Sequence, residues 1–153
     1  MVFKTDQTFM QLAVELARDA GEHGEVPVGA VVVDEDMETI LSVGSNAPVA
    51  THDPTAHAEI IALRQAAQRK KNYRLTGTTL YVSLEPCAMC AGAIAQARVS
   101  RVVFAAEDKK GGAVVNGPRF FEQPTCHHRP EISQGLMAQT ASDLLVSFFR
   151  ARR

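Results

Sequence analysis

The sequence predicts an α/β fold with three layers, in which helices cover both faces of a central sheet. Two observations lead to this prediction. Segments with helical apolar periodicity alternate along the chain with short β-branched segments. The first β-branched segment, residues 28–33, is apolar almost throughout, which is typical of a strand buried on both faces. Because such a strand needs a helical layer on each side, an α/β/α arrangement follows.

Three helices are predicted from apolar residues at the spacing i, i+3, i+4 and i+7, and a fourth from a proline. Gly21 and Gly24 end the first helix. Thr55 is the expected N-cap of the second helix, and Pro86 opens the third, because proline favours the first turn of a helix. The first helix covers residues 9–20, the second ends in the basic residues 69–71, and the last begins at Met137 and ends in Arg150, Arg152 and Arg153.

Five segments are predicted as strands, and one long segment between the last two strands as a loop. The acidic residues 34–36 make the turn between the first two strands. Residues 109–130 contain glycines and prolines with little periodicity, so we expect a loop with one short helical turn, and loops of this length are usually functional. The strands cover residues 28–33, 39–43, 79–84, 101–106 and 131–133.

The composition favours one globular domain. The 153 residues are 46% hydrophobic and 22% charged, which suits a single domain over residues 1–153. No apolar run reaches the ~20 residues that span a bilayer, so no membrane contact is expected. Three cysteines, two of them close together, argue against a disulfide framework and favour a cytoplasmic protein.

Charge is distributed unevenly along the chain. Residues 1–60 hold two basic and eleven acidic side chains, a net charge of −9, whereas residues 61–153 hold fourteen basic and six acidic ones, a net charge of +8. Such a chain can present a basic face to an anionic partner while its overall charge is −1. An ordinary solvated surface has the same composition.

Two short segments carry residues that bind metal. Cys87 and Cys90 are spaced i, i+3 at the start of the third helix, so their sulfurs share one helical face, and the helix dipole favours their thiolates. Thiolate and imidazole are ligands that zinc prefers in tetrahedral sites. His57, at the start of the second helix, is the best-placed third ligand. The pattern therefore predicts one Zn²⁺ held by His57, Cys87 and Cys90.

Three protein ligands leave one tetrahedral position open, which is typical of a catalytic zinc rather than a structural one. Water in that position has its pKa lowered from 15.7 to about 7, so hydroxide is available at neutral pH. Glu59, two residues beyond His57, is the expected general base and acid, which takes the water's proton and passes it to a ring nitrogen and to the leaving ammonia. We expect no organic cofactor.

Neither segment is specific to a catalytic zinc when taken alone. A Cys-x-x-Cys pair also occurs in redox couples and in structural zinc sites, and a buried histidine often belongs to a core. The combination of His-x-Glu with Pro-Cys-x-x-Cys, however, is the signature of zinc deaminases. Cys126 is followed by His127 and His128, but three consecutive residues rarely point at one ion, so we expect Cys126 to be a free thiol.

Around these motifs the sequence resembles the bacterial tRNA-specific adenosine deaminase family, which belongs to the cytidine and deoxycytidylate deaminase superfamily. The likeness covers nearly the whole chain, and its clearest stretches are residues 52–60 (HDPTAHAEI), 72–75 (NYRL) and 84–93 (LEPCAMCAGA). The resemblance implies a cytidine-deaminase-like fold with a five-stranded mixed sheet and a homodimer. It also implies hydrolytic deamination of the wobble adenosine of a tRNA anticodon to inosine.

The resemblance further implies two kinds of substrate-binding residue. Asn46 bonds the target nucleoside, in a pocket lined by the side chain of Val28 and the backbone of Ala58. A phosphate-tracking groove with aromatic platforms is how loops of single-stranded RNA are held. The residues implied to lie along the anticodon loop are Asp108, Lys110, Phe149 and Arg150.

Two other functions stay open at this point. The same zinc machinery serves deaminases of a free base or nucleoside, in guanine or cytosine salvage, where a closed pocket replaces the RNA groove. Residues 111–121 differ from the more hydrophilic loop that many family members have at the substrate mouth, which bears on this choice. A structural zinc module that binds RNA without catalysis is the third alternative, and a fourth protein ligand would mark it.

Overall fold

The structure, a computed structural model, describes residues 4–152, and Arg153 lies outside this range. Within this range the chain forms five strands and five helices. The strands are β1 (Gly29–Val33), β2 (Ile40–Ser45), β3 (Thr79–Leu84), β4 (Arg101–Ala106) and β5 (Glu131–Gln134). The helices are α1 (Lys4–Glu22), α2 (Pro48–Thr51), α3 (Ala58–Lys70), α4 (Ala88–Ala97) and α5 (Ala138–Arg150).

The strands form one mixed sheet in the order β2-β1-β3-β4-β5. Strand β1 is antiparallel to both β2 and β3, whereas β3, β4 and β5 are parallel. The expected α/β fold with a five-stranded mixed sheet is therefore confirmed. None of the helices in the described part of the chain is long and apolar enough to cross a membrane.

Strand β1 is buried on both faces, as its sequence predicts. All five of its residues are buried. Val31 and Val33 contribute to the core on one side of the sheet, and Ala30 and Val32 to the core on the other, because successive side chains of a strand point to opposite faces. Helices α1 and α5 cover the first face, and α3 and α4 cover the second. The result is the three-layer α/β/α arrangement.

A buried ion pair fastens α1 to the sheet. Both terminal nitrogens of Arg101 donate to the carboxylate of Asp6 at 2.8 Å, and the hydroxyl of Tyr81 donates to the same carboxylate. The side chain of Asp6 is fully buried and that of Arg101 is 6% exposed. Planar two-point pairing of this kind fixes orientation as well as adding energy.

The ends of two helices differ from the sequence-based expectation. Helix α1 continues through Gly21 to Glu22, and the chain leaves the helical conformation only at Gly24, whose φ of 85° lies in the left-handed region that favours glycine. The short helix α2 was not expected. Its first backbone N–H groups, those of Val49 and Ala50, donate to the carboxylate of Glu25 at 3.1 and 2.9 Å. The long loop contains one turn of 3₁₀ helix at Phe120–Glu122, which agrees with the prediction.

The strand order gathers four chain segments at one edge of the sheet. The start of β1 lies beside the end of β2, since Gly29 pairs with Ser45. The parallel strands β3 and β4 end together, since Leu84 pairs with Ala106. The crevice beyond the carboxyl ends of strands is where α/β proteins bind their ligands. Here that edge leads directly into the segments that carry the metal-binding motifs.

Candidate active site

Helix α3 begins two residues later than predicted. His57 therefore precedes the helix, and its imidazole is directed toward the two cysteines. The prediction that Thr55 is the N-cap is wrong. The hydroxyl and the backbone N–H of Thr55 both donate to the Asp53 carboxylate, at 2.7 and 2.8 Å. His57 is the N-cap residue, with an extended backbone, and its imidazole makes no capping bond. The first helical N–H, that of Ala58, donates instead to the side-chain oxygen of Asn46 at 2.8 Å. A residue from another segment thus satisfies the helix end.

Helix α4 presents the two cysteines in the same way. Cys87 is its N-cap residue and Cys90 lies in its first turn. Pro86 therefore lies just before the cap rather than in the first turn as predicted, and its carbonyl accepts a hydrogen bond from the N–H of Ala113 at 2.9 Å. The positive ends of α3 and α4 converge, which favours thiolates at this point.

His57, Cys87 and Cys90 form a group whose geometry fits zinc. The Nδ1 atom of His57 lies 3.6 Å from the Sγ atom of each cysteine. A tetrahedral zinc with ordinary bond lengths separates a nitrogen ligand from a sulfur ligand by about 3.6 Å. Among the residues that the structure describes, this is the one set of three such side chains whose ligand atoms converge. Three donors and no fourth protein ligand match an open, catalytic site.

The two thiols share one hydrogen bond, so one of them ionises far more readily than the other. The hydrogen bond from Cys90 lowers the pKa of Cys87 to about 5, against the opposing effect of burial. Donating that bond raises the pKa of Cys90 above its ordinary value. A cation between the sulfurs would replace this shared proton, because zinc binds cysteine as thiolate.

Glu59 is the second residue of α3 and is buried beside the cysteines, with 3% of its surface exposed. Burial in this low-dielectric position raises the pKa of its carboxyl to about 7. A carboxyl that titrates near neutrality both accepts and returns protons, which is the property of a general acid–base group.

A cavity of about 220 Å³ opens over this group. It lies at the sheet edge described above. Its wall includes three of the residues predicted to bind substrate, namely Val28, Asn46 and Asp108. The other lining residues are Val26, Pro48, His57, Glu59, Leu84, Glu85 and Cys87.

Four predicted substrate residues do not line this cavity. Ala58 is fully buried and gives its N–H to Asn46. Lys110 is exposed on the neighbouring loop, where its N–H donates to the Asp108 carboxylate at 3.1 Å. Phe149, which is 48% exposed, and Arg150 line a separate cavity on α5.

Two further polar residues at the site carry no role in the sequence-based interpretation. Glu85 is 2% exposed, and its carboxylate accepts hydrogen bonds from several residues of the loop that holds Asp108. Burial alone raises the pKa of Glu85, but these hydrogen bonds outweigh burial and lower it overall. Glu25 caps α2, from which Pro48 reaches the cavity wall. Both act on partners more than twenty residues away, so no local pattern marks them.

Cys126 is a free thiol, as expected, and it lies away from the metal-binding group. Its Sγ atom donates to the carbonyl of His128 at 3.1 Å, and the imidazole of His128 is bonded to the carbonyl of Val99. Cys126, His127 and His128 line another cavity, next to the end of α4.

Comparison with known proteins agrees with this site. The sequence-family model of the cytidine and deoxycytidylate deaminase zinc-binding region matches residues 3–106 of this chain. The tRNA-specific adenosine deaminase of Haemophilus influenzae is 49% identical over 97% of this chain and 85% of its own length. A solved structure of a tRNA:A34 deaminase, studied for A-to-I editing at the wobble position, is 47% identical with a TM-score of 0.87, over 90% of this chain and 99% of that one.

A guanine deaminase from Nitrosomonas europaea shares the fold at greater distance. It is 25% identical with a TM-score of 0.75, over 93% of this chain and 83% of that one. The metal-binding geometry and the matches across nearly the whole chain agree: the protein belongs to the zinc-binding cytidine and deoxycytidylate deaminase family, and within it to the tRNA-specific adenosine deaminases.

Proposed function

We propose that the protein hydrolyses the wobble adenosine of a tRNA anticodon to inosine, with release of ammonia. The observation that carries this proposal is the match to tRNA-specific adenosine deaminases over almost the entire chain, at roughly twice the identity shared with a guanine deaminase. The alternative of a free-base or nucleoside deaminase is not favoured by this difference. A structural zinc module is not favoured either, because the group has three protein ligands and opens into a cavity.

His57, Cys87 and Cys90 are the proposed zinc ligands, with one ion per subunit. When bound, zinc supplies a Lewis acid that lowers the pKa of water to about 7 and so provides a nucleophile at neutral pH. The protein contributes a fixed, three-sided ligand set at the ends of two helices. The support for this assignment is the pair of 3.6 Å separations between Nδ1 of His57 and the two sulfurs.

Glu59 is the proposed proton carrier. Its carboxylate takes a proton from the attacking water and delivers it to the ring nitrogen of adenine, and a second transfer lets the amino group leave as ammonia. Burial supports this role, since it keeps the pKa of the carboxyl near neutrality. Attack by one water and loss of one ammonia convert adenosine to inosine with no other reactant.

Asn46 is proposed to orient the base. Its Oδ1 atom is held by the N–H of Ala58, so the Nδ2 group on the other branch of the carboxamide can donate to the base in the cavity. Val28, which is 5% exposed and lines the same cavity, supplies an apolar wall for a flat ring. Ala58 acts through its backbone, as the partner that fixes Asn46.

The RNA contacts are proposed to extend outward from the cavity. Asp108 stands at its rim and Lys110 follows two residues later on an exposed loop, where a cation can reach a phosphate. Phe149 and Arg150 are exposed together on α5, and an aromatic ring beside a guanidinium suits a stacked base and its phosphate. A base in an open anticodon loop costs little to extrude into a pocket.

We also propose that the protein is a homodimer and works in the cytoplasm. The support is the resemblance to tRNA-specific deaminases and, for the location, the presence of the proposed substrate there. Light scattering after size-exclusion chromatography tests the dimer: twice the chain mass is expected, and a monomer that is fully active would contradict it.

The function is tested by offering several substrates to the zinc-loaded protein side by side. The substrates are an anticodon stem-loop with adenosine at the wobble position, the same stem-loop with guanosine there, free adenosine, free guanine and free cytosine. Inosine, measured by mass spectrometry of the digested RNA, is expected from the first stem-loop. Faster ammonia release from a free base than from the stem-loop would overturn the proposal in favour of salvage.

A further inference from the structure

The carboxylate of Glu85 is surrounded by hydrogen-bond donors from a single loop. Its Oε1 atom accepts from the backbone N–H of Asp108 at 3.0 Å and from the side-chain amide of Asn116 at 2.7 Å. Its Oε2 atom accepts from the backbone N–H groups of Val114, Val115 and Asn116 at 3.0, 2.9 and 3.1 Å. Residues 108–116, here called the mouth loop, are thus folded around one buried anion.

The mouth loop lies directly on that carboxylate, with no room for a side chain between them. A Cβ atom added to Gly112 would stand 2.4 Å from Cδ of Glu85 and 2.4 Å from the carbonyl oxygen of Asp108. Real Cβ contacts are not this short, so the close approach requires glycine at this position.

The mouth loop and the metal-binding turn meet at Glu85. Two residues after Glu85 the chain reaches Cys87, and the carbonyl of Pro86 between them accepts a hydrogen bond from Ala113 of the loop. At the other end of the loop, Asp108 lines the same cavity as Asn46. One side chain therefore sets the distance between the metal ligands and the rim that meets the substrate.

We propose that Glu85 is a positioning residue, which fixes the mouth loop and thereby the shape of the substrate entrance. Its side chain lines the cavity, but the five hydrogen bonds that its carboxylate accepts all come from the loop, so we expect it to act through the loop. The inference rests on the proposed function only in the choice of substrate used to measure KM. The part of the inference that concerns the loop is supported by the hydrogen bonds of Glu85 and does not depend on the substrate.

The sharpest test is the near-isosteric variant Glu85→Gln in the zinc-loaded protein. A glutamine fills the same space but offers one oxygen, and its amide group faces N–H donors where an acceptor is needed. Hydrogen–deuterium exchange of the amides at positions 108 and 114–116 is expected to speed up by about tenfold or more, because buried donors lose their acceptor. KM for the anticodon stem-loop is expected to rise by about the same factor, with a smaller change in kcat and unchanged zinc content.

Two other variants guard against a fold defect. Asn116→Ala removes one donor and adds no new polar group to the buried pocket, so the same changes are expected at smaller size even if Glu85→Gln folds poorly. Glu15→Gln is the control: it makes the same chemical change on an exposed side chain of α1, which packs on the opposite face of the sheet from Val114 of the mouth loop, and wild-type exchange and KM are expected.

Unchanged exchange at positions 108 and 114–116 in Glu85→Gln would overturn the proposal, as would faster exchange with an unchanged KM. If the wild-type protein acts on a free base and not on the stem-loop, the proposed function fails. The exchange measurement still applies in that case, and KM is then measured with the active base.

Discussion

Gly44 lies in β2 under the first turn of α3, where a side chain would meet the helix backbone. A Cβ atom at this position would stand 2.4 Å from the carbonyl oxygen of Ala58 and 3.0 Å from the nitrogen of Ala62. That turn carries Glu59, and His57 is the N-cap residue directly before it. The substitution Gly44→Ala therefore tests whether close packing of α3 on the sheet holds the reactive groups in register.

The size of the effect follows from the clash. Since ordinary contacts begin at 3.4 Å, the first turn of α3 must retreat by about 1 Å. A displacement of 1 Å in a reacting group costs about 100-fold in rate. Overfilling a packed interface costs about 1–3 kcal/mol, which corresponds to a fall in Tm of about 2–12 °C for a chain of this size.

The assay compares kcat/KM on the stem-loop, Tm and zinc content for Gly44→Ala and for a matched control, Gly92→Ala. Gly92 belongs to α4, which carries the two cysteines, but a Cβ atom there meets nothing closer than 3.7 Å, at the ring of Phe120. The control gains about 1 kcal/mol of helix propensity and should keep its activity. Wild-type kcat/KM in Gly44→Ala, or an equal loss in both variants, would refute this reasoning.

The remaining predictions concern the site and the core. Glu59→Gln should keep zinc and Tm but lower kcat by about 10²–10⁴, measured in single-turnover reactions; retained turnover would rule out its proton role. Chelation of zinc should lower Tm in calorimetry, because metal binding is coupled to folding, and an unchanged Tm would contradict this. Asp6→Asn should destabilise the fold by about 3–5 kcal/mol in urea titration, since it leaves the buried charge of Arg101 without its carboxylate. Lys110→Ala should raise KM for RNA and reduce the salt-dependence slope by about one, whereas an unchanged slope would exclude a phosphate contact.

The two halves of the metal-binding group were predictable from local spacing, and their union, 30 residues apart, from the known signature of zinc deaminases. Cys87 and Cys90 are one helical turn apart, and His57 and Glu59 are two residues apart, so a helix start constrains each pair. Alternating β-branched and helical segments also predict the sheet and its two helical layers. These features depend on residue type and on spacing within a few positions of the chain.

The connections around the site were not predictable, because they join distant segments. Thr55 has the residue type of an N-cap, but Asp53 takes its hydroxyl and Asn46, twelve residues before Ala58, caps the helix in its place. Helix α2 depends on Glu25, more than twenty residues before it. Glu85 binds donors 23 to 31 residues further along. Such partners become visible only when the sheet has brought the segments together.

The most direct test of the account is deamination of the wobble-adenosine stem-loop by the zinc-loaded protein in water enriched in a heavy oxygen isotope. Hydrolysis by the wild-type chain should yield inosine that carries the heavy isotope at the former amino position, and Glu59→Gln, at equal zinc content, should yield almost none. Absence of inosine from the wild-type reaction, or inosine without the solvent's oxygen, would contradict hydrolytic deamination of the wobble adenosine at this site.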